Sequence, residues 1–365
     1  MSLLVSPGVR GASRAVLSRL GQVARLATTP LLPADYLGLI APLTLGADLR
    51  GRIVERRRET RDAATLIIRP GRGWRRHVPG QYVRIGVDVD GVRCWRAYSL
   101  TSLLDAPDGC IAITVKKIPG GVVSAHLVEE VRPGTLIMLD QAAGDFVMPP
   151  VSMRPALFLT AGSGITPVMG MLRNHPERVS DAVVLHSAPT AEDVVFGPEL
   201  RAASAAGGPR LVERHTDTDG MLDLAELDAL VPDWRERETW ACGPTGLLDA
   251  AQKHWESAGI VYRLHTERFR PALSAAGEGG EVTFSRSGVV VDAPGTRPLL
   301  DSGEDAGVLM PSGCRMGICF GCAVPLREGT VRDLRNGTLT SAAPGDGVIV
   351  QTCVTAPAGP CEIEL

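Results

Sequence analysis

The chain has 365 residues, 44% of them hydrophobic and 22% charged, with a formal net charge of −3. This excludes a disordered chain and a nucleic-acid binder held by a broad basic field, and it leaves room for two or three domains. No apolar run reaches the roughly 18 residues of a membrane-spanning helix, and eight cysteines, three of them crowded into 314–322, are too sparse for a disulfide scaffold and point to a metal.

Residues 1–46 read as a basic amphipathic extension. Arg10, Arg14, Arg19 and Arg25 are the only charged residues before Asp35, while Ala12, Val16, Leu20, Val23 and Ala27 draw one helical stripe. The arginines interrupt any signal-peptide core. The expectation is a cytoplasmic protein whose N-terminus docks on the fold or touches the inner face of the membrane peripherally. Charge is polarised: residues 1–60 carry +5 and residues 278–365 carry −5.

Residues 47–150 show short strands at Gly51–Glu55, Ala64–Ile68, Tyr82–Val87 and Ile111–Lys116, which predicts a small antiparallel β-barrel. From 151 to 272 the strands Ala156–Leu159, Ala182–Leu185, Arg210–Glu213 and Thr239–Cys242 alternate with helical stretches near Pro167–Arg173, Pro198–Ala205 and Leu247–Ala258. That alternation predicts an α/β domain with a parallel sheet. Residues 273–280 have linker composition. A third domain, 281–365, starts with strands at Glu281–Ser285 and Gly288–Asp292.

Six motifs carry chemistry. Cys314-x4-Cys319-x2-Cys322, completed by Cys353, has the spacing of a plant-type [2Fe–2S] ferredoxin. Gly313, Gly317 and Gly321 suit a loop that curls closely around a cluster; structural zinc would call for a second C-x2-C pair. Cys94, Cys110 and Cys361 read as ordinary buried thiols. Arg96-Ala-Tyr98-Ser99-Leu-Thr101-Ser102 follows a predicted strand, and Gly120-Gly121-Val-Val-Ser124 precedes a helical run. Gly162-Ser-Gly164-Ile-Thr166-Pro167 combines a tight turn with a helix start that attracts phosphate. Cys242-Gly243-Pro244 ends a strand, and His265-Thr-Glu267-Arg-Phe269 closes the α/β region.

In this order the motifs resemble the ferredoxin–NADP⁺ reductase superfamily, joined to a C-terminal β-grasp (α+β) ferredoxin domain. The resemblance implies FAD, with Arg96 on its pyrophosphate, Tyr98 on the isoalloxazine, Ser99 near its N5, and Gly121 and Ser124 in a second flavin segment. It implies NADPH, or alternatively NADH, on Gly162, Gly164, Thr166 and Pro167, with Cys242, Gly243 and Pro244 beside the nicotinamide. Glu267 would organise that site and Phe269 would cover the flavin. Ser99, Cys242 and Glu267 are the catalytic candidates. Ser187 and Arg214 are candidates for nucleotide choice, an arginine there suiting a 2′-phosphate. The cluster ligands would be Cys314, Cys319, Cys322 and Cys353.

The implied activity is an NAD(P)H-dependent reductase passing electrons through FAD and [2Fe–2S] to a terminal acceptor protein. The run Pro33-Ala-Asp-Tyr36-Leu-Gly-Leu-Ile-Ala-Pro42 resembles bacterial, mycobacterial-type reductases serving a membrane stearoyl-CoA Δ9-desaturase. The expected acceptor is therefore a membrane di-iron acyl-CoA desaturase. The alternative is a soluble oxygenase or hydroxylase acting on aromatic or steroid substrates. Intact nucleotide loops speak against a non-enzymatic electron carrier.

Overall fold

Apolar residues spaced two apart build the first sheet in a computed structural model that describes residues 41–44, 48–89, 91–149, 154–269 and 275–365. The predicted N-terminal helix lies outside the described residues. Strands β1 (Arg50–Thr60), β2 (Ala63–Pro70), β3 (Tyr82–Val89), β4 (Val92–Ser99), β5 (Ile111–Lys116) and β6 (Leu136–Leu139) pair in the order β4-β3-β6-β1-β2-β5, all antiparallel. A bridge between Leu100 and Ile113 ties the two ends of this order together. Ile53, Leu66, Ile68, Val83, Ile85 and Ile113 fill the interior. A short helix, α1 (Val122–Ala125), continues as a wider turn through Glu130.

The second sheet is parallel and ordered β11-β10-β7-β8-β9. Its strands are β7 (Ala156–Ala161), β8 (Val183–Ala188), β9 (Arg210–His215), β10 (Glu238–Cys242) and β11 (Leu264–Glu267). Helices α2 (Ile165–Asn174), α3 (Gly197–Ala205) and α4 (Thr245–Ser257) alternate with them. Both faces are covered, as a parallel sheet requires. Phe158, Val184 and Trp240 pack towards α2, while Leu157, Leu159 and Leu185 pack against Trp234 and Trp255.

Helix α2 also grips the barrel. A side chain at Gly170 would come within 2.5 Å of the Leu100 carbonyl oxygen, so only glycine permits this approach. At the end of the helix, Arg173 donates to the Thr101 carbonyl (2.6 Å) and Asn174 to that of Ser102 (2.9 Å). The nucleotide-loop helix thus holds the backbone of the Arg96–Ser102 motif.

The third sheet mixes β12 (Gly280–Phe284), β13 (Val289–Ala293), β14 (Ala323–Asp333), β15 (Leu339–Ala342), β16 (Val348–Gln351) and β17 (Thr355–Ile363), covered by α5 (Leu299–Asp305). Its β12–β17 pair is parallel and its other pairs are antiparallel.

The linker expectation needs correction at its C-terminal half. Ala275, Gly277 and Gly279 donate their N–H groups to Leu334, Gly295 and Pro357, and Gly359 donates back to Gly279. These residues are stitched to the third domain. Gly and Ala composition here reflects close backbone approach: a Cβ on Gly277 would lie 2.4 Å from the Pro357 oxygen.

Candidate active site

The predicted Arg96–Ser102 motif does not follow a strand but is its end, since β4 runs through Ser99. Register sets Ser99 opposite Tyr82 on β3. The hydroxyls of Ser99, Thr101 and Ser102 are all buried without a hydrogen-bond partner. Three orphaned hydroxyls in four residues fit a polar ligand that supplies their partners. Tyr98 packs on the barrel core, and burial pushes its phenol well above the usual range. Arg96 is held by the Trp95 carbonyl (2.8 Å) and reaches the Gly313 carbonyl of the cluster loop (3.5 Å). Burial first, then the charge of Arg315, lowers its pKa.

A Cβ on Gly121 would lie 2.4 Å from Ile118 Cγ1 and 2.5 Å from Ser124 Oγ, so a side chain there would displace both. Ser124 Oγ accepts from the Ile118 N–H (3.3 Å) and donates to the Gly121 carbonyl (3.1 Å). That hydroxyl shapes the turn, leaving backbone groups to meet a phosphate.

Across the parallel sheet, register lines up Glu267, Cys242, Thr160, His186 and Glu213 in one file on one face. This is the face of Trp240 and Phe158, towards the barrel. Cys242 is fully buried and its thiol is raised well above its ordinary value, first by burial and then by Glu267. Glu267 is raised to about 8 by burial, with one carboxylate oxygen unpartnered. The file continues with His186 Nδ1, 2.8 Å from Thr160 Oγ1; burial depresses its pKa to about 3, so the ring is neutral.

The Gly162 loop touches the Cys242 loop directly. Gly162 adopts φ +55°, and a Cβ on Gly164 would come within 2.0 Å of the Cys242 carbonyl oxygen. A Cβ on Gly243 would lie 3.2 Å from the Ala161 nitrogen. Thr166 donates to the Ser163 carbonyl (2.9 Å) and Pro167 is buried in the first turn of α2, so both shape the loop. Pro244 directly precedes α4 in extended conformation. Phe269, the expected flavin cover, is exposed.

For nucleotide choice the two candidates diverge. Ser187 lies inside β8, not after it, and its buried hydroxyl has no partner. Arg214, the candidate for a 2′-phosphate, is engaged within the fold. It pairs with Glu226 (2.8 Å) and donates to the carbonyls of Asp219 (2.6 Å) and Gly220 (3.1 Å).

The four predicted ligand cysteines meet as two pairs. Cys319 Sγ accepts the Cys314 N–H at 3.1 Å and the Gly321 N–H at 3.4 Å, while Cys314 Sγ accepts from Met316 N–H at 3.3 Å. Burial pushes Cys319 up, but these N–H groups and the Arg84 charge bring it below its ordinary value. The two thiols of the second pair shift each other in opposite directions: neighbouring Cys353 brings Cys322 down to about 6 and is itself raised. The Thr352 hydroxyl ties the two turns by donating to the Cys322 carbonyl (3.0 Å). Mononuclear zinc needs four donors at one point, whereas a two-iron cluster needs two thiolates per iron. The pairing fits the second.

Of the three loop glycines only Gly317 has positive φ (+73°); Gly313 and Gly321 serve close approach, a Cβ on Gly313 lying 2.4 Å from Cys319 Sγ. The other left-handed residues of the loop are Arg315 (+58°) and Phe320 (+56°), each costing about 1 kcal/mol.

Sequence reasoning missed several residues around these groups. Arg335 donates to the Gly317 carbonyl (3.0 Å) and pairs with Asp333 (2.7 Å). Arg84 lies over the Trp95 ring (5.3 Å) and pairs with Asp140 (3.0 Å). Tyr82 is raised by burial and then by facing Cys314 and Glu267, which places it between the two ends of the site. None belongs to a motif, and their signal is three-dimensional.

Residues 52–148 match the family described as the oxidoreductase FAD-binding domain, and residues 282–358 match the 2Fe-2S iron-sulfur cluster binding domain. The chain is 52% identical to the NADPH oxidoreductase of Mycobacterium tuberculosis, over 98% of this chain and 96% of that protein. The chain belongs to this family of oxidoreductases. Its cofactors are FAD and a [2Fe–2S] cluster. It is 30% identical to the glycine betaine monooxygenase reductase subunit of Pseudomonas aeruginosa, over 78% of this chain and 86% of that one. The phthalate dioxygenase reductase structure shares the fold over 87% of this chain and 98% of its own length, with a TM-score of 0.56 at 23% identity.

Proposed function

We propose that this protein is the NADPH-dependent reductase component of an oxygenase system. Three observations together carry the reading: the orphaned hydroxyls at Ser99–Ser102, Cys242 paired in register with a half-buried Glu267, and a cluster loop in contact with Arg96. The bound groups supply the redox chemistry, FAD taking two electrons as hydride and the cluster passing them singly.

This chain's own residues hold and shield them. Ser99, at the end of β4 with an unpartnered hydroxyl, would donate to the flavin, and Arg96 and Tyr98 would hold its phosphate and ring. Gly162, Gly164 and Gly243 let nucleotide phosphates approach backbone N–H groups. Burial pushes the Cys242 thiol well above its ordinary value and the Glu267 carboxyl up to about 8, so both would bring little negative charge to a bound nicotinamide. Cys314 with Cys319 would hold one iron, and Cys322 with Cys353 the other.

The acceptor reading rests on the relatives. The glycine betaine monooxygenase reductase subunit supports a terminal oxygenase over the membrane desaturase expected from residues 33–42. Among the described residues no helix is long and apolar enough to cross a membrane. The test offers the holoprotein an oxygenase component and, separately, membranes holding an acyl-CoA desaturase. Substrate turnover with NADPH and the oxygenase alone supports the reading. Turnover with the desaturase alone overturns the acceptor, and failure of NADPH to bleach the flavin overturns the reductase.

A further inference from the structure

The cluster loop has two unlike sides. On one, the Gly313 carbonyl meets Arg96 of the barrel, so that side is covered by the flavin domain. On the other, Ile318 and Phe320 are 48% and 67% exposed, and they bracket Cys319, itself partly open to solvent. Phe320 holds a left-handed backbone (φ +56°), a conformation an aromatic residue rarely adopts. Backbone strain that presents a large apolar ring to water, next to a ligand cysteine, has no packing reward among the described residues.

We propose that the Ile318–Phe320 rim is the docking surface for the electron acceptor, a protein with an apolar contact spot fringed by basic side chains. This rests on the terminal-reductase reading above. Charge supports that occupant: residues 278–365 carry −5, and Asp301 and Glu304 flank the loop through Arg315. A bound cluster adds a formal charge of about −2. Aromatic anchors with a charged rim are how transient interfaces gain affinity and fast association. Because electrons arrive at Gly313 and leave at Phe320, the third domain need not part from the barrel between the two steps.

The test uses the full-length holoprotein, reduced anaerobically with NADPH and mixed rapidly with oxidised cytochrome c, a basic haem protein. One electron leaves the reduced cluster and ferric haem becomes ferrous; no proton moves. Cluster reoxidation, read by its visible absorbance, should slow about tenfold in Phe320→Ser and in Phe320→Gly, which removes the ring while relieving the strain. Ferricyanide, a small anion, should reoxidise all variants alike, and salt should slow only the cytochrome reaction. An unchanged bimolecular rate constant in both variants overturns the proposal. So does a wild-type dimer that Phe320→Ser dissociates with no change in that rate constant, since the rim would then bind a second copy. If NADPH reduces the flavin but never the cluster, it is the terminal-reductase reading that fails.

Discussion

The nucleotide end and the cluster end of the site solve opposite problems. At Cys242 and Glu267 burial pushes the ionisable groups towards their neutral forms. Around the cysteines the loop is partly exposed and held by charge, with Arg96, Arg315 and Arg335 on its carbonyls or carboxylate neighbours. Hydride transfer needs contact distance and exclusion of water, so its site is enclosed. Single electrons tolerate distance, and their donor profits from an open edge where a partner can approach.

Removing the exposed end should leave the enclosed end working. Cys319→Ser deprives one iron of a thiolate, so electron delivery to a protein acceptor falls roughly 100-fold or more. Stopped-flow bleaching of flavin by NADPH stays within about twofold, because Cys242 and Glu267 are set on β10 and β11 without that loop. Loss of both activities would mean that the two ends are structurally one.

Glu267 tests the enclosed end by pH. Its folded pKa of about 8 lies above the ordinary carboxylate value, so the fold binds this proton more tightly than the unfolded chain does. That advantage is complete below the unfolded pKa and is lost as pH rises through about 8. Relative to Glu267→Gln, the wild type should lose on the order of 2–4 kcal/mol between about pH 5 and pH 9. Denaturant unfolding of the flavin-free protein at both pH values measures it; parallel pH profiles would show a solvated carboxylate.

Strand and helix positions were legible because the chain announces them locally. Apolar alternation marked β1–β3, and near-continuous apolar runs marked the buried strands β7 and β8. The four cysteines were legible through spacing alone. What stayed hidden depends on distant partners: Arg214 looks free until Glu226 folds against it, and residues 275–279 look like a linker until Leu334 and Pro357 accept their N–H groups. Arg335 is remote in sequence from the loop whose Gly317 carbonyl it holds.

Two arginines sharpen the comparison from the charged side. Arg96→Ala should weaken flavin retention about tenfold, measured as bound flavin after dialysis, since it loses a charge-assisted contact to phosphate. Arg335→Gln should shorten the lifetime of the cluster absorbance several-fold, because Gly317 loses its fork-shaped restraint. Arg335→Lys keeps the charge but not the fork, and it should be only partly restored.

The smallest effect is expected at Arg214. Its guanidinium already satisfies Glu226 and two backbone carbonyls, so a nucleotide phosphate would have to compete with a carboxylate at 2.8 Å. Arg214→Ala should therefore change the KM for NADPH less than about twofold and leave the NADPH-to-NADH preference where it was. A tenfold rise for NADPH alone would mean that the Glu226 pair opens when nucleotide binds. The contrast between the two ends would then weaken, because the enclosed side too would be using a mobile charge to recognise its ligand.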